Sequence, residues 1–397
     1  RHNDLIDIKK QLNWLGYGHI KITTLFGSWM EDRVKKFQSD YNLPINGIID
    51  LKTKEKIQSE FNNIFKQGTR HDSIIELKKM LNAIGYGNIK VTTLYGSFTV
   101  KKVREFQADN DLEVTGKADL TTLDKIEEIY KSPFQVGKRH EDVITLKKNL
   151  NRLGFGNIKV TNLYGSFTEK RVKDFQRYYG LKVIGIADHK TLNKIDELIN
   201  SPLQRGKRHN DLIDIKKQLN WSGYGHIKET TLFGSWMENR IKKFQTEQGL
   251  PVSGIIDAKT KEKIEQVFSN IFREGARHDS IIDLKEKLNK FGFGHIKVTT
   301  LYGTFTTKKV KDFQRYYDLK VTGQADLATL SLLDELSNSP FQEGNRHPDV
   351  KKLKENLNYL GFGNIKVTDL YGSFTVKRVK DFQRYYGLKV TGIADSR

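Results

Sequence analysis

Cysteine is absent from this 397-residue sequence, which excludes disulfide bonds, thiol redox chemistry and zinc sites built from paired cysteines. The sequence also has no apolar run approaching the roughly 18–20 residues that a helix needs to span a bilayer. No recognisable secretory leader precedes the first residues. We therefore expect no membrane span, and we expect the chain to be a mature form or an excised fragment.

Acidic residues are in clear deficit. The sequence has 48 Asp and Glu against 68 Lys and Arg, which gives a net charge of +20 and a pI near 9.6. Such a balance favours polyanionic partners: nucleic acid, anionic wall polymers or an acidic membrane surface.

One repeat of 69 residues organises the whole chain. The dipeptide Arg-His opens each copy, at Arg1, Arg70, Arg139, Arg208, Arg277 and Arg346. The predicted modules are residues 1–69, 70–138, 139–207, 208–276, 277–345 and 346–397, and the sixth stops before a third helix. Residues 1–38 and 208–245 differ at only four positions, so a block of three modules was duplicated.

Each module has the pattern of three short helices. In the first, Leu5, Ile8 and Leu12 recur at helical spacing, and Gly16 follows as a helix stop. Helix two is predicted from about Ser28, with a capping box, to Tyr41. In other modules it is predicted to start at a threonine such as Thr99 or Thr168. Helix three is predicted to follow Asp50, or its equivalents, as N-cap.

The linkers between modules are short, and each holds an apolar residue (Phe65, Phe134, Leu203, Phe272 or Phe341) and one glycine, too little for a flexible tether. We expect the apolar residue to dock on the neighbouring module. The predicted fold is mainly α: six tandem three-helix modules with short extended or β segments, arranged as an elongated semi-rigid array.

These motifs resemble the tandem peptidoglycan-binding domains, small three-helix modules attached to many bacterial wall hydrolases. Module one supplies "LGYG", "LFGSW", "VKKFQ" and "LPINGIIDLKT", and the other modules supply close variants. Three departures stand out: lysine replaces the family glutamine in helix one, as at Lys9 and Lys78; methionine replaces a threonine, as at Met30; and Thr24-Leu25 replaces Asp-Gly. The resemblance implies a non-catalytic, secreted, wall-associated protein of Gram-positive bacteria.

No catalytic, metal or nucleotide motif accompanies the repeat. Six of the ten histidines belong to the Arg-His pairs, and three others follow a Gly-x-Gly turn where the remaining modules have asparagine. No His-Glu-x-x-His, phosphate-loop or Ser/His/Asp pattern is present. We therefore expect no metal, no cofactor and no enzymatic activity, and we expect the histidines to cap helices or join modules.

Some polar residues recur in all six modules without an evident core role. An amide, a cation and a hydroxyl can bond to sugar hydroxyls and peptide carboxylates, and a tyrosine ring can pack on a sugar face. The tyrosine pairs end helix two, where we expect one ring in the core and one exposed. The candidate ligand residues are Asn13, Lys21, Thr23, Asn82, Lys90, Thr92, Asn151, Lys159, Thr161, Tyr178, Tyr179, Tyr316, Tyr317, Tyr385 and Tyr386.

The leading hypothesis is multivalent binding to the bacterial cell wall, with peptidoglycan or a wall-associated anionic glycopolymer as partner and the chain as a monomer. Two alternatives stay open. The repeats could serve as the spacer of a surface stalk or adhesin, or the basic surface could bind nucleic acid, although no nucleic-acid-binding fold signature is present.

Overall fold

The computed structural model describes residues 2–395, with side chains from Asp4 onward. Within this range the regular secondary structure is almost entirely helical, with three α-helices in each of the first five modules, two in the sixth, and a π-helical turn, Asn220–Tyr224, after the first helix of module four. The helices are α1 His2–Trp14, α2 Ser28–Asp40, α3 Leu51–Ile64, α4 Ser73–Ala83, α5 Ser97–Asp109, α6 Leu120–Tyr130, α7 Asp142–Arg152, α8 Ser166–Tyr178, α9 His189–Ile199, α10 Asp211–Leu219, α11 Ser235–Glu247, α12 Ala258–Ile271, α13 Ser280–Lys290, α14 Thr304–Tyr316, α15 Leu327–Ser337, α16 Pro348–Tyr359 and α17 Ser373–Tyr385.

The third helix of each complete module begins as the sequence predicts. The Asp50 carboxylate accepts a hydrogen bond from the Thr53 amide at 2.8 Å, which satisfies a backbone donor that the helix leaves free. The same bond recurs at Asp119, Asp188, Asp257 and Asp326. The proposed N-cap aspartates are therefore confirmed, and their recurrence is explained by helix initiation.

The start of helix two differs from the prediction. Its N-cap is a glycine, such as Gly27 or Gly96, and no side chain caps the helix. The predicted capping box at Ser28 and the predicted starts at Thr99 and Thr168 are therefore wrong. Both threonines are only 2% exposed, because they pack inward in the first turn instead of turning back to cap it.

The Phe-Gln pair that recurs in helix two lies at the centre of each module. Gln38 is fully buried: its amide nitrogen donates to the Ile48 carbonyl at 2.8 Å, and its oxygen accepts from the Gly47 amide at 2.9 Å. These two bonds hold the turn before helix three against helix two. They also satisfy the donor and the acceptor of the buried side-chain amide, as buried polar groups require. The equivalents Gln107, Gln176, Gln245, Gln314 and Gln383 make the same pair of bonds.

The extended segments are short. In the described residues they form isolated antiparallel bridges rather than ladders, such as the bridge between Arg70 and Leu94. Through this bridge the Arg-His dipeptide, which opens module two, pairs with the loop between helices one and two of its own module. The His71 amide donates to the Thr93 carbonyl at 3.0 Å.

The chain divides into two compact units, Arg1–Ile199 and Asn200–Arg397. In the first unit, linker residue Phe65 is buried between Trp14 of module one and Tyr95 of module two, with ring centroids 5.7 and 6.0 Å away. Lys10 and Asp124 form an ion pair across the same junction at 2.7 Å. The linker residue therefore docks on its neighbour, as predicted.

The second junction of the unit uses different contacts. Modules two and three are joined by the ion pairs of Lys182 with Asp109 at 2.7 Å and Lys190 with Asp111 at 3.0 Å. The second unit likewise packs Phe272 on Trp221 and Lys389 on Phe293. The packing therefore repeats every three modules, which agrees with the duplicated block in the sequence.

None of the helices in residues 2–395 combines the length and apolar character that crossing a membrane requires.

Candidate functional site

The recurring asparagines hold the loop between helices one and two. The Asn13 side-chain oxygen accepts from the Ile20 amide at 2.7 Å, and its nitrogen donates to the Ile20 carbonyl at 2.9 Å. Asn82 and Asn151 make the same two bonds to Ile89 and Ile158. Each asparagine side chain therefore holds the loop by two hydrogen bonds to one backbone residue. This structural role is enough to explain why the asparagine recurs in every module.

The recurring threonines receive a hydrogen bond from a buried lysine. Lys78 is 3% exposed, and its Nζ donates to the Lys90 carbonyl at 3.2 Å, the Thr92 hydroxyl at 3.1 Å and the Leu94 carbonyl at 2.6 Å. Burial lowers the pKa of Lys78. A buried ammonium needs such acceptors to offset its lost hydration.

The same arrangement appears in the neighbouring modules. Lys9 and Lys147 donate to Thr23 and Thr161, and burial lowers the pKa of both lysines. The lysine that departs from the family glutamine therefore fastens the loop to helix one.

The lysines of the candidate set are placed differently from the asparagines and threonines. The side chains of Lys21, Lys90 and Lys159 are exposed on the loop, beside exposed apolar residues such as Val91 and Val160. They are therefore able to reach an external ligand.

The tyrosine pairs at the end of helix two do not divide into one core ring and one surface ring. Tyr178 and Tyr179 are both half-buried, with centroids 5.7 and 5.9 Å from the ring of Phe155. Tyr385 and Tyr386 are both exposed, at 76% and 51%. The predicted division is therefore wrong. The aromatic residue of the Gly-x-Gly loop, Phe155 or Phe362, packs against both rings of the tyrosine pair in its module.

The third pair belongs to a junction between modules. Tyr316 and Tyr317 are half-buried. The Tyr317 hydroxyl donates to Asp395 at 2.6 Å, and the Tyr316 hydroxyl accepts from the Lys389 amide at 3.3 Å.

A further feature of the surface recurs in all six modules. An aromatic residue at the second position of helix two is 47–55% exposed, and a basic residue one turn later lies over its ring, with the charged group 4.0–5.4 Å from the centroid. We call these the ring–cation pairs: Trp29 with Arg33, Phe98 with Lys102, Phe167 with Arg171, Trp236 with Arg240, Phe305 with Lys309, and Phe374 with Arg378.

In five of the six modules the cation of the pair also rests on the Gly-x-Gly loop between helices one and two, whereas in module four nothing lies within 4 Å of a Cβ built at Gly225. Gly87 has φ +126°, and a Cβ there would lie 3.0 Å from Lys102 Cε. At Gly156, with φ +136°, the corresponding distance to Arg171 Nε is 2.9 Å. The second glycine of the loop is therefore needed for its backbone conformation, and the flexible end of the basic side chain occupies the space where a Cβ would lie.

The pairs differ in charge. In module three Arg171 forms an ion pair with Asp174 at 3.1 Å, and in module six Arg378 does the same with Asp381. In modules one and four the acidic position holds Lys36 and Lys243 instead. Within the described part of the chain, no carboxylate forms an ion pair with Arg33 or Arg240, and these two modules are also the ones that carry tryptophan.

Sequence reasoning on the candidate residues missed the ring–cation pairs, although a signal exists. Trp29 adjoins the apolar face formed by Met30, Val34 and Phe37 but does not belong to it. An aromatic residue off the core face in every copy, followed four residues later by a base, indicates an exposed stacked pair.

The histidines of the Arg-His pairs cap helix one. Nδ1 of His71 accepts from the Ser73 amide at 3.2 Å, and His140, His209, His278 and His347 make the same bond. The His2 side chain lies outside the described residues. Across residues 4–395, no three His, Asp or Glu side chains are grouped so that they could hold a metal ion.

Comparison with known proteins agrees with this architecture. A model of the peptidoglycan binding domain family matches residues 1–57, 70–126, 139–195, 208–264, 277–333 and 346–397. Two curated proteins named spore cortex-lytic enzyme, both from Bacillus cereus, are 32% identical over 73 residues. These matches cover 18% of this chain and 28% of each relative, and no solved structure matches. The chain belongs to the peptidoglycan binding domain family and contains six copies of the domain.

Proposed function

We propose that this chain is a non-catalytic, multivalent binder of the bacterial cell wall, and that its six ring–cation pairs are the contacts that touch the glycan. The observation that carries this proposal is the recurrence of one half-exposed ring with a stacked cation at the same place in every module. Six copies of a shallow surface suit repeated binding to a repetitive polymer.

The chemistry of one pair suits a sugar that carries an acid. The open face of the ring packs against the C–H face of a sugar, while the cation attracts a carboxylate of the peptide stem or another wall anion. The exposed Lys21, Lys90 and Lys159 add charge on the neighbouring loop. The asparagines and threonines act indirectly, by holding that loop in shape, and the tyrosine pairs, at the other end of helix two from the ring, are additional candidate contacts.

Binding by one such surface is weak, and the chain gains affinity by repetition. Once one module is bound, the next meets the polymer at an effective concentration in the millimolar range, provided that the geometry lets both engage. We therefore propose that the chain acts as an extracellular monomer anchored on peptidoglycan, with module boundaries at the 69-residue intervals of the repeat.

Modules one and four are the strongest sites in this proposal. Tryptophan offers the largest stacking face, and the guanidinium groups of Arg33 and Arg240 are not neutralised by an acidic neighbour. Modules three and six, where Asp174 and Asp381 pair with the arginine, are the weaker counterparts.

A matched pair of variants tests the proposal. Trp29→Ala with Trp236→Ala in the full chain is compared with Phe167→Ala with Phe374→Ala, in sedimentation with purified sacculi. We expect both to weaken binding, and the tryptophan variant to weaken it more. Unchanged binding in both, with intact helical circular dichroism, contradicts the role of the pairs.

The same assay separates the alternatives. Binding to duplex DNA with a steep salt dependence, together with no binding to sacculi, favours nucleic acid as the partner. Binding to neither polymer favours a spacer role. Binding to sacculi stripped of teichoic acid is compared with binding to intact sacculi. Equal binding indicates that the glycan or its peptide is the ligand, and a loss of binding indicates the anionic polymer.

A further inference from the structure

The junction between modules five and six contains a pocket that is lined by residues of both modules. It has a volume of about 390 Å³. It lies between the Gly-x-Gly loop of module five, residues 292–294, and Lys389 of module six, which follows helix two of that module. Its lining includes Phe293, Lys309, Asp312, Arg315, Tyr316 and Lys389.

Positive charge in this pocket exceeds negative charge. Asp312 is shared by two cations, Lys309 at 3.4 Å and Arg315 at 3.3 Å. Lys389 Nζ lies 3.4 Å from the Gly292 carbonyl, 4.1 Å from the Phe293 ring centroid and 5.8 Å from the Tyr316 ring centroid, and no carboxylate in the described residues forms an ion pair with it. Three cations against one carboxylate leave the pocket with a charge of +2.

The first unit contains the same junction with the charge removed. Lys182, which is 207 residues before Lys389, lies 3.4 Å from the centroid of Tyr86 but forms an ion pair with Asp109 at 2.7 Å. Lys102, the equivalent of Lys309, is paired with Glu105 at 2.7 Å. Two cations and two carboxylates leave this junction neutral.

Two substitutions between the duplicated blocks account for the difference. Tyr316 stands where the first unit has Asp109, and Arg315 stands where it has Ala108. The first change removes the carboxylate that would neutralise the lysine, and the second adds a cation. Neither change is required by the fold, because both junctions keep the lysine stacked on the loop aromatic.

We propose that the pocket between modules five and six binds an oxyanion, a phosphate or carboxylate group, and that the equivalent junction of modules two and three does not. The anion accepts hydrogen bonds from the Lys389 and Lys309 ammonium groups and from the Arg315 guanidinium. Burial and the neighbouring Lys309 lower the pKa of Lys389, so a bound anion relieves a repulsion that is already present.

The position of the pocket suggests what carries the anion. Lys309 also belongs to the ring–cation pair of module five, where it lies 5.3 Å from the Phe305 centroid. An acidic group attached to a sugar would therefore place its sugar near that ring and its charge in the pocket. This last step rests on the proposed function, whereas the anion site itself does not.

The test titrates the full chain with sodium phosphate, and separately with sodium acetate, at constant ionic strength. Binding is followed by the NMR shifts of the Gly292 and Gly294 backbone amides. We expect saturable shifts at these two amides, with phosphate bound more tightly than acetate if the natural group is a phosphate. Tighter binding of acetate than of phosphate indicates that the natural group is a carboxylate.

Variants make the assignment specific. Tyr316→Asp, which restores the carboxylate of the first unit, and Lys389→Gln should each weaken binding by about tenfold or more, because each removes net charge from the pocket. The matched control Lys182→Gln should leave the titration unchanged. Equal binding in Tyr316→Asp and the parent chain, or no saturable shift at all, overturns the proposal.

Sacculus binding keeps this inference separate from the proposed function. If the chain binds sacculi but shows no anion titration, the proposed anion site is refuted and the wall-binding proposal stands. If the chain binds phosphate at Gly292 but does not bind sacculi, the anion site stands and the wall-binding proposal is refuted.

Discussion

Replacing Lys78 by methionine tests whether a buried charge fastens the loop that supports the ring–cation pair. Methionine replaces the apolar stem of the lysine side chain, is one atom shorter, and removes the donor to the Lys90 carbonyl, the Thr92 hydroxyl and the Leu94 carbonyl. A buried acceptor without a partner costs about 1–3 kcal/mol. The Thr92 hydroxyl can rotate to another partner, and methionine avoids the desolvation of an ammonium group. The expected loss is therefore about 2–5 kcal/mol, below the simple sum for three acceptors.

Hydrogen exchange of backbone amides measures this loss within one module of the full chain. The Ile89 amide, which bonds to Asn82, and the Tyr95 amide, which bonds to the Thr69 carbonyl, report the opening of the loop. A change of about 1.4 kcal/mol corresponds to tenfold in rate, so we expect these amides to exchange about 30-fold to 4,000-fold faster in Lys78→Met.

Lys79→Met is the matched control, because Lys79 is the exposed neighbour on the same helix. It should leave both amides as they are in the parent chain. If Lys78→Met exchanges no faster than Lys79→Met, the buried lysine does not hold the loop and the reasoning fails.

Three further predictions concern local structure. Asp119→Ala should lower the free energy of unfolding by about 0.5–2 kcal/mol, measured in urea, since it removes the cap of α6; no change would contradict the capping role. Asn82→Ala should speed exchange of the Ile89 amide, whereas Asn82→Asp, which keeps the acceptor, should do so less. Burial lowers the pKa of His71 from 6.5, so the folded state resists protonation. The associated stability is present above pH 6.5 and lost as the pH falls below it. The melting temperature of His71→Asn should therefore fall less than that of the parent chain between pH 7.5 and 5.5, and equal falls would count against this account.

The repeat, the three helices and the N-caps of helix three could be predicted because they depend on local sequence. Spacing of three or four residues predicts a helical face, and an aspartate before such a face predicts a cap. The start of helix two was mispredicted because Thr99 has two competing roles, and inward packing wins over capping. Local sequence contains no information about which role prevails.

The site could be predicted only in part, because charge patterns alone do not show burial. Lys78 has the pattern of a solvated helix residue, yet it is buried, since three loop acceptors converge on it. The tyrosine pairs depend on which module packs against them, as the bond of Tyr317 to Asp395 shows. The difference between the two junctions is visible in sequence only after the structure has shown that Lys182 and Lys389 occupy equivalent places.

The most direct test of wall binding is the affinity of the full chain for purified sacculi as the six exposed rings are changed to alanine one after another. We expect each removal to weaken binding, and the chain without any of the six rings to lose most of its affinity while its helical content is unchanged. Alanine at Tyr130 and Tyr359, two exposed aromatic residues outside the ring–cation pairs, is the control and should have no effect. A chain without the six rings that binds sacculi as tightly as the parent chain would contradict the account.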